Sequence, residues 1–160
     1  MTGPRHPQDV AVFTRNWQHY LEQARALSQR NHRRIIVFRS RSKWATAHRE
    51  IPAGGSLPVY IAVNRGPGVA KYQAELCDVL IKPGRKNPRT RALLASVLKK
   101  TRHEDLWEKT KKGPVKTLYA IRACRRLPRP SPITSLVKLS DGKPISETVG
   151  RTPGADPCLS

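Results

Sequence analysis

The chain has 160 residues, 38% of them hydrophobic and 14 of them proline, which predicts one domain with one core and some chain outside it. Its 31 Lys and Arg stand against 11 Asp and Glu, a formal charge of +20 that calls for a polyanionic partner. No run approaches the roughly 20 apolar residues of a membrane span and the N-terminus lacks the apolar stretch of a signal peptide, so a soluble, cytoplasmic protein with no membrane partner is expected.

In residues 8–29, Phe13, Trp17, Tyr20, Leu21, Ala24 and Leu27 recur at helical spacing, which predicts an amphipathic helix with Trp17 and Tyr20 in its core-facing stripe. After a basic hinge, the β-branched and aromatic residues 35–38 predict a first strand, and SRSKWATAHRE a short helix or turn with Ser40 and Ser42 as available N-caps. Pro52, Gly54 and Gly55 mark a loop. Residues 59–63 and the partly alternating residues 69–81 flank Gly66-Pro67-Gly68, a turn signal, and together predict a hairpin.

A Pro- and Lys-rich loop follows at residues 82–89. Leu93, Leu94, Val97, Leu98, Leu106 and Trp107 then predict a helical insertion over residues 90–100 and 103–110. Residues 115–124 predict a fourth strand and residues 133–139 a fifth. From about residue 150 there is no apolar period, and a disordered tail is expected. The order of elements excludes a doubly wound sheet and predicts an α+β fold, a small mixed β-barrel. Residues 1–32 would be a helix packed on the domain, residues 33–149 the barrel and residues 150–160 the tail.

Catalytic chemistry is sparse. Cys77, Cys124 and Cys158 are too far apart for a zinc ribbon or a redox pair, and the five histidines lack metal-ligand spacing, so neither metal nor cofactor is expected. Glu75, Asp78 and Lys82 near a strand end faintly resemble a carboxylate-lysine nuclease site, without the order or spacing of a nuclease motif. They support only an alternative, a nucleic-acid-processing or defence enzyme. A basic protein docking on a ribonucleoprotein is a further one.

The basic residues are clustered. From Arg30 to Arg49 there are seven Lys and Arg and no carboxylate, and KPGRKNPRTR, KKTR, KTKK and RRLPR follow. Nucleic acid, RNA or DNA, is the expected partner, with Arg33, Arg34, Arg85, Lys86, Arg89, Arg91, Arg125 and Arg126 as phosphate contacts. Trp44 lies in a polar, basic segment without an apolar partner at helical spacing. It reads either as a base-stacking platform or as a core residue.

The strings IIVFRSRSKW, PVYIAVNRGPGVAKYQAELCDVLIKP and KTLYAIRACRRLPRPSPITSLVKL resemble the strands of YTH and EVE domains, members of the PUA-like superfamily, over about residues 34–140. The resemblance implies a PUA-like barrel and a non-enzymatic nucleic-acid-binding module that recognises a modified or flipped base. It implies a base-binding pocket of Ser40, Arg41, Trp44, Tyr60 and Asn64, with the amide of Asn64 reading a base edge.

Overall fold

A computed structural model describes residues 10–40, 42, 44–84, 86–96, 115–132, 137–138 and 155–159. Seven strands and three helices follow in the order β1 (Val10–Asn16), α1 (Gln18–Arg30), β2 (Ile36–Ser40), α2 (Ala45–Glu50), β3 (Leu57–Val63), β4 (Val69–Ile81), α3 (Pro88–Leu94), β5 (Thr117–Pro132), β6 (Val137–Lys138) and β7 (Ala155–Leu159). Five strands, in the order β2-β5-β4-β3-β1, make the mixed sheet, which β7 and β6 extend beyond β1. The fold is α+β as expected. The sheet runs from an edge at β2 to one at β6 and is not closed into a barrel.

The β3–β4 hairpin matches its expectation, because alternation and a Gly-Pro-Gly turn act on neighbouring residues. The long strands β4 and β5 pair antiparallel with shifts of register near Tyr72, Gln73 and Leu76. Such bulges add twist. The sheet coils so far that Asn16 Nδ2 on β1 reaches the Tyr119 hydroxyl on β5 at 3.0 Å, although β3 and β4 lie between these strands.

Residues 10–16, expected within the first helix, form β1 instead. Ala11, Val12, Phe13, Thr14 and Arg15 are all buried, and β1 runs parallel to β3 from Val12↔Val59 to Asn16↔Val63. An interior strand covered on both faces reads as a continuous apolar run, and the four-residue step from Phe13 to Trp17 only imitates a helix. The helix begins after Trp17 and buries Leu21, Ala24 and Ser28, with Tyr20 and Leu27 packed beside them. Residues 10–32 are therefore not a helix laid on a separate barrel, since β1 is part of the sheet.

A second correction concerns the tail. Ala155–Leu159 pairs antiparallel with β1, from Val10↔Leu159 to Thr14↔Ala155, in place of the disordered segment expected there. The outer edge of β1 carries backbone donors and acceptors that a neighbouring strand satisfies, whatever the hydropathy of that strand. Among the described residues the fifth predicted strand is represented by Val137–Lys138, and β5 runs on to Pro132. Helix α3 covers Pro88–Leu94, opened by Asn87, whose side chain accepts from Arg89 N. The predicted helical residues 97–100 and 103–110 lie outside the described residues.

The main core lies on the sheet face covered by α1 and α2, and includes Val12, Leu21, Ile36, Trp44, Val59, Ile61, Tyr72, Leu76, Tyr119, Ile121 and Cys124. Two smaller clusters are separate from it. One gathers Ala11, Phe13, Ala62 and Ala70 with Tyr60 and Leu127, and the other gathers Val37, Leu80, Leu118 and Ala120 with Leu94 of α3.

Burial also sets a pH limit. The Cys124 thiol, whose backbone N–H donates to Ser28 Oγ at 3.0 Å, is pushed up to about 12 from 9.0, chiefly by desolvation. Tyr119 and Tyr72 are raised for the same first reason. The folded protein holds the thiol proton where the unfolded chain releases it, so stability is complete below about pH 9 and falls as pH rises toward 12. At about pH 10.5 the Cys124 share is on the order of 2 kcal/mol. Urea unfolding of the parent and of Cys124→Ala at pH 8 and pH 10.5 should show the parent losing more than the variant. Equal losses would mean that Cys124 ionises in place.

Candidate nucleic-acid interface

Trp44 is 1% exposed and is a core residue. Its ring stacks on Tyr119 with centroids 4.1 Å apart and an 18° interplanar angle, and its Nε1–H donates to Ser40 Oγ at 3.1 Å. Phe38 lies 5.6 Å from Tyr119 and Tyr20 lies 6.5 Å from Phe38, which completes a row of aromatic contacts under α1. The spacing rule missed this because the partner of Trp44 is on β5, far along the chain. Tyr119 covers a face of the indole on which a base would have to stack.

The other expected pocket residues are only partly brought together. Tyr60 packs with Phe13 and Ala62 in a cluster separate from that of Trp44, and β5 and β4 lie between the strands of Ser40 and Tyr60. The backbone N–H of Asn64 donates to Asn16 O at 2.8 Å, where β1 and β3 end together. Its side-chain Oδ1 is buried without a hydrogen-bond donor. Arg41 lies outside the described residues. Ser40 and Trp44 meet directly, Asn64 is joined to them through Asn16 and Tyr119, and Tyr60 packs in a separate cluster.

The carboxylates proposed for the alternative enzyme are held by arginines. Glu75 Oε2 accepts from Arg122 Nε at 2.6 Å, and Asp78 accepts from Arg89 at 2.7 and 2.9 Å while also accepting from its neighbour's backbone, Val79 N. Both ion pairs are half exposed, where such pairs contribute about 0–1 kcal/mol. Among the described residues no three His, Cys, Asp or Glu side chains are grouped as metal ligands would be. Glu75 instead lines an open groove of ≈ 570 Å³ with Ser56, Pro58, Gln73, Ala123 and Arg125.

The expected phosphate contacts fall into two groups. Ile36 pairs with Ile121 antiparallel, so the chain before β2, with exposed Arg33 and Arg34, runs at the same end as exposed Arg125 and Arg126. Arg125 donates to Gln73 Oε1 and Arg126 lies in the field of Glu22, which places these two arginines on opposite faces of β5. The second group, exposed Lys86, Arg89 and Arg91, stands near α3, where Lys82 N bonds Lys116 O at the start of β5. Thr117 to Arg125 spans about 26 Å of strand. Arg85 lies outside the described residues. Arg89 differs from the rest because Asp78 already occupies it.

One exposed aromatic was missed. Trp17, expected in the core stripe of α1, is 38% exposed at the residue preceding the helix, with the Arg65 guanidinium 5.5 Å from its ring centroid. The signal that could have found it is the strand itself, because a helix beginning at Gln18 removes Trp17 from the helical stripe. Among the described residues no helix is long and apolar enough to cross a membrane. Compared with known proteins, the chain matches no protein-family model, no curated protein and no solved structure.

Proposed function

We propose that this protein is a non-enzymatic nucleic-acid-binding module that holds the phosphate backbone with two basic groups at opposite ends of β5. The observation that carries this reading is the formal charge of +20 together with exposed Arg33, Arg34, Arg125, Arg126, Lys86 and Arg91. So dense a positive charge repels itself, and a polyanion that releases its counterions relieves the repulsion. The resemblance of the strand strings to YTH and EVE domains, of PUA-like type, supports the same class of partner. A modified or flipped base held among Ser40, Trp44 and Tyr60 is no part of the proposal, because Trp44 is already stacked on Tyr119.

The test is a binding panel of single-stranded and duplex RNA and DNA across salt concentrations, with and without divalent metal. With about five phosphates contacted, the log-log slope against salt is expected near −3.5 for single strands and near −4.5 for duplex. A slope near zero removes the proposal. A cleavage product that appears with metal and vanishes in Glu75→Ala replaces it with the enzyme.

A further inference from the structure

The ends of β1 and β3 meet at a place that the phosphate contacts do not use. Asn64 N bonds Asn16 O at 2.8 Å, so the residues that follow, Trp17 and Arg65, stand side by side. Arg65 has a φ of 59°, a left-handed conformation uncommon for a side chain of its size. That turn is braced from beneath. Buried Arg15 donates through Nη1 to Val63 O at 2.8 Å and to Gly66 O at 3.1 Å, two carbonyls that flank Asn64 and Arg65. The backbone under Arg65 is therefore fixed, while its side chain lies out over an exposed indole.

We propose that Trp17 and Arg65 form a stacking site for one unpaired nucleotide of single-stranded nucleic acid, the indole taking the base and the guanidinium the adjoining phosphate. Indole and guanidinium planes are the two side-chain surfaces on which unpaired bases stack without regard to sequence. The cation–π contact of an exposed Arg and Trp is weaker than base stacking on the same ring, so a base displaces the guanidinium and leaves it free for phosphate. The first turn of α1 contains no acidic residue to repel the phosphate.

This inference rests on the nucleic-acid reading and adds to it a preference for single strands. It is tested on the full chain with a single-stranded oligoadenylate and a duplex of equal length, comparing the parent with Trp17→Ala, Trp17→Phe and Arg65→Ala. Trp17→Ala is expected to weaken single-strand binding about tenfold and duplex binding by less than about twofold, with Trp17→Phe close to the parent. Arg65→Ala is expected to reduce the single-strand salt slope by about 0.7. Melting temperatures should stay near that of the parent, because the indole is outside the core. With Trp107 replaced by phenylalanine in both proteins, tryptophan emission should be quenched by the single strand where Trp17 is present and not in Trp17→Phe, since Trp44 is buried. Parent-like binding by Trp17→Ala, or equal losses on both ligands, overturns the stacking site and leaves the phosphate reading intact. Failure of the parent to bind either ligand overturns both.

Discussion

Replacing Trp44 with alanine should cost about 3–5 kcal/mol of folding stability and leave nucleic-acid affinity per folded molecule unchanged. The indole is buried at 1% exposure, stacked on Tyr119 and bonded to Ser40 Oγ, so its removal leaves a cavity in the main core and uncovers the Tyr119 face, whereas the Ser40 hydroxyl keeps the bond it accepts from Ser42 N. A domain of this size holds about 5–15 kcal/mol in all, and each kcal/mol moves the melting temperature by roughly 2–4 °C. A drop of about 10 °C or more is the expected result. Tyr119→Phe is a graded companion, because it keeps the ring stack and removes only the bond from Asn16, which should cost about 1 kcal/mol. Thermal and urea unfolding of the two variants, beside a binding curve on each, check both values. A Trp44→Ala protein that melts like the parent but no longer binds would return the residue to a ligand role.

The second large effect is on binding. Changing Arg33, Arg34, Arg125 and Arg126 together to alanine should lower the single-strand salt slope by about 1.4, at about 0.7 per phosphate contact, because Arg125 and Arg126 lie on opposite faces of β5 and one strand meets about two of the four. These side chains are exposed, so the melting temperature should move little. Lys86→Ala with Arg91→Ala should take away about 1.4 from the other end. Arg89→Ala should take away less than either of those two, because Asp78 already pairs with that guanidinium. Salt titrations of the three variants decide the footprint. If the four-arginine variant keeps the full slope, the polyanion does not lie across that end of β5.

The parts of the fold legible from sequence are those whose determinants are local. The β3–β4 hairpin, the Leu21-Ala24 face of α1 and the existence of β2 follow from neighbours within a few residues. What stayed hidden depends on distant chain. Parallel pairing of β1 with β3 has no turn between the strands to announce it, and Phe13 with Trp17 supplied a false helical step. Trp44 looked partnerless because Tyr119 is remote in sequence. Trp17 looked buried because its supposed helix began too early. The basic groups were legible as residues, whereas their separation into two ends of one strand needed the register of β2 against β5. The edge role of Ala155–Leu159 rests on backbone pairing, which side-chain composition does not report.

The shift of register in β5 bears on how this strand tolerates changes of length. Glu75 pairs with Arg122 and Gln73 with Arg125, so two steps on β4 answer to three on β5, and Ala123, at φ 52°, takes up the extra one. Ile121 and Cys124 consequently both face the main core, while Arg122 and Arg125 both face the groove side. Were the extra residue ironed flat into a regular pleat, Arg125 would turn inward and Cys124 outward. Position 123 is thus the neutral point of the strand's reading frame. A lineage that lost this one codon would keep Cys124, Arg125 and Arg126 on their present sides, because the strand around them would then alternate regularly.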